Sequence, residues 1–254
     1  MQRVRLGARD LWVSRLLFGT LTMGPLQRNL PPERGAELLC HAAARGVNFV
    51  DTAEYYGTYP HVRLALAKWP DLVVCTKSYA YDLDGAKRSV ALAQEGIGRE
   101  RIDVFLLHEQ ESEHTLRGHE AALSYYLRLR EEGILGAVGL STHHIAAVRA
   151  AARWPGIDVV FPIINPRGLG IVDGTREDME AAVFKAHAAG RGVLAMKALG
   201  GGHLIGERRA AFRYALDLPG VDAVAVGMQS EAEIDFNCAL FSGGEPDAKS
   251  AAET

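Results

Sequence analysis

Short apolar runs alternate with longer amphipathic segments along almost the whole chain. The apolar runs predict eight β-strands, at residues 15–20, 48–52, 72–77, 102–108, 137–141, 158–164, 192–199 and 222–228. Within each run the apolar residues are nearly continuous. This pattern is typical of parallel strands that are covered on both faces.

The segments between the runs carry the hydrophobic period of α-helices. Residues 33–46 place leucines and alanines on one face and reach Gly46, which is suited to end a helix. Residues 175–190 follow the same plan, with Thr175 as a helix N-cap, acidic residues in the first turn and Gly190 at the end. Alternating strands and helices predict βαβ units and a parallel sheet.

The succession of eight strands and helices predicts a (β/α)8 TIM barrel that occupies residues 1–241 as a single domain. Residues 4–14 predict a β-hairpin ahead of the first barrel strand, placed to close the bottom of the barrel. The polar segment 242–254 has no periodicity and is predicted to be a disordered tail. The alternative is a doubly wound sheet, which usually has fewer strands and a GxGxxG motif after the first; GTLTMG occurs there instead.

Composition narrows the class of protein. The chain has 254 residues, of which 48% are hydrophobic, and this is enough for one large domain with a well-buried core. A net charge of −3 gives no electrostatic footprint for nucleic acid or for an anionic membrane. The three cysteines are far apart and form no CxxC motif, so neither a disulfide framework nor a zinc site is indicated. No signal peptide or membrane span is evident, and we expect a cytoplasmic protein.

Ionisable residues end three successive predicted strands. Asp51, Lys77 and His108 stand at the ends of the second, third and fourth strands. Chemistry in barrels of this type takes place at the carboxyl ends of the strands. Because neighbouring strands lie about 4.8 Å apart, these three side chains can converge on one point.

The stretch FVDTAEYYGTYP, residues 49–60, adds three tyrosines to this point. A phenol has an ordinary pKa of about 10, which is too high for an efficient proton donor near neutrality. A nearby lysine lowers that pKa, an aspartate keeps the lysine charged, and a histidine can orient a carbonyl group. Together these groups suit a site that protonates an oxyanion as it forms.

The motifs at these positions are similar to those of the aldo-keto reductases. DTAEYYG resembles the DxAxxYG signature of that family, and Lys77 in VVCTK and His108 in FLLHE fall where the family carries the rest of its catalytic tetrad. The resemblance implies that Asp51, Tyr56, Lys77 and His108 form the tetrad, with Tyr56 as the general acid. It also implies metal-independent hydride transfer between NADP(H) or NAD(H) and an aldehyde or ketone. Tyr55 is then expected to point elsewhere, and Tyr59 to line the mouth of the site or pack on the following helix.

The same resemblance implies a cofactor site. GLST, residues 139–142, is similar to the family's GxSN segment, with Thr142 in place of Asn, and Met196 stands where many members stack a tyrosine on the nicotinamide. The glycines that follow the seventh strand are suited to bind phosphate through backbone N–H groups. The implied cofactor residues are Gly19, Thr20, Ser141, Thr142, Asn165, Met196, Lys197, Leu199, Gly200, Gly201, Gly227, Met228, Gln229, Glu233 and Asn237.

The choice between the two cofactors stays open in the sequence. The family's usual ligands of the 2′-phosphate fall at Gly227 and Glu233, and neither residue is basic. Asn237 matches the family's residue at its position, and the resemblance implies that it contacts the adenine. A carboxylate at position 233 repels a phosphate, so the preference of the family for NADPH does not transfer directly.

Two other functions remain open. One is a Schiff-base aldolase that uses Lys77 or Lys197; the other is a nucleotide-binding regulatory protein with this fold and little turnover. His143 and His144 open a predicted helix and are interpreted as surface or cap residues. The physiological substrate and the oligomeric state are not determined by the sequence.

Overall fold

A β-hairpin closes the amino-terminal end of the molecule, as predicted for residues 4–14. The computed structural model describes residues 1–244, so residues 245–254 of the predicted tail lie outside the described residues. Strand β1 (Arg3–Arg5) pairs antiparallel with β2 (Trp12–Ser14). Leu6 and Val13 are fully buried and join the apolar cluster inside the barrel. The hairpin therefore caps the barrel with its own side chains.

Eight parallel strands form a closed barrel, which confirms the predicted (β/α)8 fold. Each strand pairs with the next, and the last pairs with the first. The strands are β3 (Leu16–Gly19), β4 (Phe49–Asp51), β5 (Val73–Ser78), β6 (Ile102–Leu107), β7 (Leu135–Thr142), β8 (Val159–Pro162), β9 (Gly192–Ala195) and β10 (Ala223–Gly227).

Helices surround the barrel and cover its outer face. Within residues 1–244 they are α1 (Pro32–Ala44), α2 (Tyr59–Leu66), α3 (Leu83–Ile97), α4 (Glu113–Gly118), α5 (Glu120–Glu131), α6 (Ile145–Arg153), α7 (Arg176–Ala188), α8 (Arg208–Asp217) and α9 (Glu231–Phe241). Thr175 caps α7 as predicted, because its side chain accepts a hydrogen bond from the backbone N–H of Asp178. None of the helices in this part of the chain combines the length and the apolar character needed to cross a membrane.

The core has two layers, one inside the barrel and one between the barrel and the helices. Phe49, Leu106 and Phe161 belong to the inner layer, whereas Phe18 and Phe105 belong to the outer one. Because successive residues of a strand face alternate sides, both faces of each strand are buried. This is why the strands read as continuous apolar runs.

Polar side chains fix the register at the amino-terminal ends of alternate barrel strands. Each accepts a hydrogen bond from a backbone N–H near the start of the preceding strand, and we call these four side chains the strand clasps. The clasps are Asn48 to Ser14 (2.6 Å), Asp103 to Val74 (2.9 Å), Asp158 to Val138 (2.9 Å) and Asp222 to Val193 (2.8 Å). They satisfy N–H groups at strand starts, where an unpaired buried donor would be costly.

Most strands are one to three residues shorter than predicted, and β9 is only half as long as predicted. The apolar run at 192–199 forms a strand only as far as Ala195, and Met196 adds a single bridge to Ile163. Lys197 then has a φ of 54°, so the backbone turns into the left-handed region and leaves the sheet. The remainder of the run belongs to the loop above the barrel.

Candidate active site

A cavity of about 600 Å³ opens at the carboxyl ends of the barrel strands. This size is typical of small-molecule sites. Residues from the tetrad and from the implied cofactor set line the same cavity. They are Gly19, Asp51, Tyr56, Lys77, His108, Ser141, Met196, Lys197, Leu199, Gly201, Gly227, Gln229, Glu233 and Asn237.

A buried ion pair lies at the base of the cavity. Lys77, at the end of β5, donates to the Asp51 carboxylate at 2.6 Å and to the carbonyl of Thr52 at 2.9 Å. The side chains of Lys77 and Asp51 are only 2% and 7% exposed. Burial is the largest single effect and lowers the pKa of Lys77, but Asp51, together with Tyr56 and Cys75, raises this pKa above its ordinary value. Lys77 therefore stays an ammonium ion at neutral pH.

Tyr56 lies directly beside this ammonium. It ends a short 3-10 turn, Glu54–Tyr56, which stops at Gly57 in the left-handed conformation. The Nζ atom of Lys77 is 4.8 Å from the centre of the Tyr56 ring. Lys77 lowers the pKa of Tyr56, as expected from the sequence, but burial has the larger effect and leaves this pKa raised. The phenol consequently keeps its proton at neutral pH.

The three tyrosines of the DTAEYYGTYP stretch have separate environments. Tyr55 is 70% exposed and lies at the mouth of the cavity, where its ring meets that of Tyr79 edge to face. Tyr59 is buried, its hydroxyl is 2.9 Å from that of Thr76, and its ring packs on Gly96 of α3. Of the two places considered for Tyr59, the structure shows packing on the following helix. Among these tyrosines, only Tyr56 reaches Lys77.

Three buried hydroxyls support the Tyr56 turn from below. The Oγ1 atom of Thr58 lies 2.7 Å from that of Thr20 and 2.8 Å from that of Thr52. All three side chains are fully buried. Thr20, an implied cofactor residue, therefore ties the ends of β3 and β4 to the turn and does not line the cavity.

His108 completes the tetrad from the end of β6. Its ring centre is 5.9 Å from that of Tyr56, and the ring of Tyr79 stacks on it at 4.4 Å. Burial lowers the pKa of His108 to about 3, and the positive charges of Lys77 and Lys197 contribute. His108 is therefore a neutral imidazole that can donate a hydrogen bond without carrying charge.

The end of the cavity next to β7 differs from the implied carboxamide site. Ser141 lines the cavity, and its hydroxyl accepts the N–H of Glu109 at 3.0 Å. Thr142 lies outside the lining and donates to the carbonyl of Gln110 at 2.5 Å. Asn165 also lies outside, because its amide closes a turn with the backbone of Leu169. Both side chains are thus occupied by the loops that they hold.

The loop after β9 forms one wall of the cavity. Met196, Lys197 and Leu199 line it, together with Gly201. The N–H of Gly200 is bonded to the carbonyl of Lys197 at 2.7 Å, and Gly200 does not reach the lining. A phosphate bound here would therefore have fewer backbone donors than the run of glycines indicates.

The far end of the cavity is built around the start of α9. The carboxylate of Glu233 accepts the N–H of Gln229 at 2.6 Å, and Asn237 follows one turn later. Arg208 also lines this end, with its guanidinium 4.3 Å from the centre of the Phe236 ring. Met228 is fully buried away from the lining. The far end therefore presents an amide, a carboxylate, a guanidinium and an aromatic ring.

The lining fits an elongated dinucleotide. Gly19 and Gly227 are paired in the sheet and both line the floor, and a Cβ atom at Gly227 would collide with Thr22. This leaves a flat backbone surface between the tetrad and the start of α9. The Ser141 hydroxyl at one end and the Asn237 amide at the other provide polar groups for the two ring systems of such a ligand. The residues present are therefore suited to a nicotinamide dinucleotide.

Several lining residues with polar, charged or aromatic side chains were not predicted as site residues, and five of them matter most for the chemistry of the cavity. They are Tyr79, Glu109, His143, Phe161 and Arg208. His143, interpreted above as a surface or cap residue, is half-buried and faces the cavity, and that interpretation was wrong. Its position two residues after Ser141, just beyond a strand end, is the signal that could have identified it.

Comparison with known proteins agrees with the family resemblance of the sequence motifs. The sequence model described as the Aldo/keto reductase family matches residues 15–210. A D-threo-aldose 1-dehydrogenase from Pseudomonas sp. is 23% identical over 189 residues, which cover 61% of this chain and 57% of that protein. The match thus spans little more than half the length of this curated relative.

Solved structures resemble the chain over almost its whole length. A Pseudomonas aeruginosa protein assigned to the aldo-keto reductases is 25% identical, with a TM-score of 0.80 and 95% of each chain covered. An aldo-keto reductase from Bacillus halodurans, in its holo form, is 17% identical, with a TM-score of 0.79, and covers 99% of this chain and 94% of its own. At 17% identity, the likeness to the Bacillus halodurans structure concerns the fold alone.

Proposed function

The chain belongs to the aldo/keto reductase family, and from this premise we propose that it reduces an aldehyde or ketone with NADPH or NADH, using Tyr56 as the general acid. One observation carries the proposal. The Tyr56 phenol, the Lys77–Asp51 ion pair and the neutral His108 imidazole meet at the base of one cavity. When bound, the nicotinamide supplies the hydride.

The tetrad residues can act in sequence on a carbonyl oxygen. The Nε2–H of His108 and the hydroxyl of Tyr56 would hold the oxygen. As negative charge develops there, Tyr56 donates its proton, because a positioned phenol close to a cation is a competent general acid. The ammonium of Lys77, 4.8 Å from the Tyr56 ring centre, then stabilises the phenolate that remains. Asp51 keeps Lys77 charged and in place.

We assign cofactor-binding roles to those residues of the implied set that line the cavity. Ser141 and Met196 would hold the nicotinamide end, Lys197 and Gly201 the pyrophosphate, and Asn237 the adenine. Those residues of the implied set that lie outside the lining would act only by holding loops. They are Thr20, Thr142, Asn165, Gly200 and Met228.

The Schiff-base alternative loses its support in this geometry. A lysine that forms a Schiff base must be a free amine, and desolvation usually lowers its pKa for that purpose. Asp51 instead raises the pKa of Lys77, so this lysine is held as an ammonium ion. Lys197 is exposed on the loop after β9. The Lys77–Asp51 ion pair therefore supports reduction of a carbonyl and not the formation of a Schiff base.

Cofactor titration followed by a turnover panel tests the proposal. NADH and NADPH are titrated by fluorescence, and turnover is then measured with simple aldehydes, ketones and aldoses, the last because a relative is named as an aldose dehydrogenase. We expect turnover of at least one carbonyl class. Tight cofactor binding without turnover of any carbonyl would favour the regulatory alternative.

The pH dependence of the two directions should differ. Burial raises the pKa of Tyr56 and lowers that of His108 to about 3. The protonated phenol and the neutral imidazole therefore coexist from about pH 5 to about pH 9. We expect the kcat for reduction to be flat across this range, whereas alcohol oxidation, which needs the phenolate, should accelerate as pH rises. Stopped-flow measurements at saturating cofactor check this, and an inflection for reduction near pH 6 to 7 would contradict it.

The Glu233 carboxylate should weaken the binding of NADPH. Glu233 lines the end of the cavity at which the 2′-phosphate is expected, and its negative charge would repel a phosphate bound there. The substitution Glu233→Gln keeps an acceptor for the N–H of Gln229 and should lower the Kd for NADPH about tenfold relative to NADH. Glu231→Gln is the matched control, since Glu231 lies in the same helical turn and faces Arg34. An unchanged NADPH/NADH ratio in Glu233→Gln would place the 2′-phosphate elsewhere.

A further inference from the structure

The imidazole of His108 has no hydrogen-bond anchor. Its Nδ1 atom is buried, and no donor or acceptor within residues 1–244 reaches it. In protein sites the plane and tautomer of a functional histidine are usually set by a hydrogen bond to the second ring nitrogen. Packing must therefore determine the orientation of this ring.

Tyr79 supplies that packing. It follows Lys77 by two residues, and its ring lies 4.4 Å from that of His108 with only 22° between the planes. Stacked aromatic rings at this separation attract each other beyond the area that they bury. Tyr56 meets the imidazole at 73°, with its ring centre 5.9 Å away. One face of the imidazole is thus covered by Tyr79, and Tyr56 approaches in a second direction.

Glu109 lies next to Tyr79. Burial raises the pKa of the Tyr79 hydroxyl, and the neighbouring Glu109 carboxylate raises it further. Glu109 has a φ of 52°, and its N–H is donated to the hydroxyl of Ser141 at 3.0 Å. A left-handed backbone at a residue other than glycine persists only where its surroundings impose it, and such residues cluster at functional sites. The conformation brings the carboxylate next to Tyr79.

We propose that Tyr79 is a positioning residue that fixes the plane of the His108 imidazole and excludes water from it. The part of this proposal that concerns catalysis rests on the proposed carbonyl reduction. The part that concerns the imidazole is a property of the folded chain and can be measured without cofactor or substrate.

The charges around His108 define what the loss of Tyr79 would do. The titratable or charged groups that face it from the neighbouring strand ends and loops are Asp51, Tyr56, Lys77, Tyr79, Glu109, His143 and Lys197. Burial is the largest cause of the lowered pKa of His108, ahead of the cations. Removal of Tyr79 would admit water to the imidazole and so reduce the effect of burial, while the effect of the cations would remain. The pKa of His108 should then rise by about one to two units, which is still below its ordinary value.

Titration of the His108 ring by NMR tests the positioning directly. Histidine labelled with ¹³C in the ring is followed from pH 3.5 to pH 8, and His108→Gln identifies the resonance. In the wild type and in Tyr79→Phe, which keeps the stacked ring, we expect no titration above about pH 4. In Tyr79→Leu we expect a midpoint between about pH 4 and pH 5.5. If the ring of His108 in Tyr79→Leu titrates as in the wild type, the proposal is wrong.

A matched control is available on the same loop. Tyr81 is 63% exposed, and its ring meets that of His119 at 6.4 Å, outside the cavity. Tyr81→Leu should leave the titration of His108 and the turnover unchanged. A shift of the His108 midpoint in this variant would mean that any change in the loop after β5 perturbs the site, and the specific role of Tyr79 would be rejected.

Kinetics complete the test. Tyr79→Leu should lower the kcat for reduction about tenfold or more, with a pH dependence that follows the NMR midpoint, whereas Tyr79→Phe should stay within about threefold of the wild type. If the NMR midpoint moves but kcat does not, Tyr79 has no part in positioning for the reaction. If the midpoint moves and no carbonyl is turned over even by the wild type, the proposed function fails while the packing of His108 by Tyr79 stands.

Discussion

Tyr56→Phe should lower the kcat for carbonyl reduction by about 100- to 10,000-fold, because it removes the proton donor and nothing else. The phenylalanine ring can keep its place beside the Lys77 ammonium. The Kd of the cofactor should therefore be nearly unchanged. Cofactor fluorescence titration and single-turnover kinetics measure the two quantities separately.

Tyr55→Phe is the matched control for this change. Tyr55 precedes Tyr56 directly, carries the same hydroxyl and is 70% exposed at the mouth of the cavity. Its loss of a hydroxyl should leave kcat close to the wild-type value. Full activity in Tyr56→Phe, or an equal loss in both variants, would remove Tyr56 from the role of general acid.

Lys77→Met should abolish reduction and also destabilise the fold by about 3–5 kcal/mol, because it leaves the Asp51 carboxylate buried and unpaired. Asp51 is 5% exposed, and Lys77 is its only ion-pair partner among the described residues. The double variant Asp51→Asn/Lys77→Met removes both charges and should recover most of the lost stability. It should not recover activity, because the phenolate of Tyr56 would lack its cation.

Urea denaturation and turnover together check the second prediction. Lys87→Met is the matched control, since Lys87 lies 3.9 Å from Asp84 in a pair whose side chains are 52% and 80% exposed, and its loss should change the unfolding midpoint little. A Lys77→Met protein as stable as the wild type would contradict the buried ion pair. A double variant that regains activity would contradict the role of Lys77.

The barrel and the meeting of Asp51, Lys77 and His108 at one rim were predictable because both depend on strand ends. Parallel strands buried on both faces read as apolar runs, and the residue that ends such a run must lie at the carboxyl rim of the barrel. Asp51, Lys77 and His108 follow from that rule. This rule failed for the run at 192–199. Ala198 and Leu199 are apolar and lengthen the run, although the backbone has already turned out of the sheet at Lys197.

Loop side chains were not predictable in the same way. Nothing in the period of a loop tells which of its residues turns inward, so Tyr79 and His143 were missed. Thr142 and Asn165 stand at positions that the family resemblance implies, yet their hydrogen-bonding groups are used by their own loops. That use depends on where the neighbouring backbone passes, which a single sequence does not contain.

The pKa of Tyr56 shows a different limit. Its sequence neighbourhood predicts the sign of the effect of the lysine, and Lys77 does lower this pKa. The larger effect is burial, which depends on residues from several strands that together enclose the phenol. The raised pKa of Tyr56 is therefore a result of the whole cavity.

The strand clasps divide the barrel into four equal parts. The side chains of Asn48, Asp103, Asp158 and Asp222 each join a strand to the one before it, and none of these side-chain bonds joins one such pair of strands to the next. The seam between β10 and β3 therefore lacks a clasp, like the three other seams, although Arg15 donates across it to the carbonyls of Val221 and Asp222. A circular permutant that began at β5, β7 or β9 would keep every clasp within a continuous βαβ segment. One that began at β4, β6, β8 or β10 would turn a local clasp into a contact between opposite ends of the polypeptide.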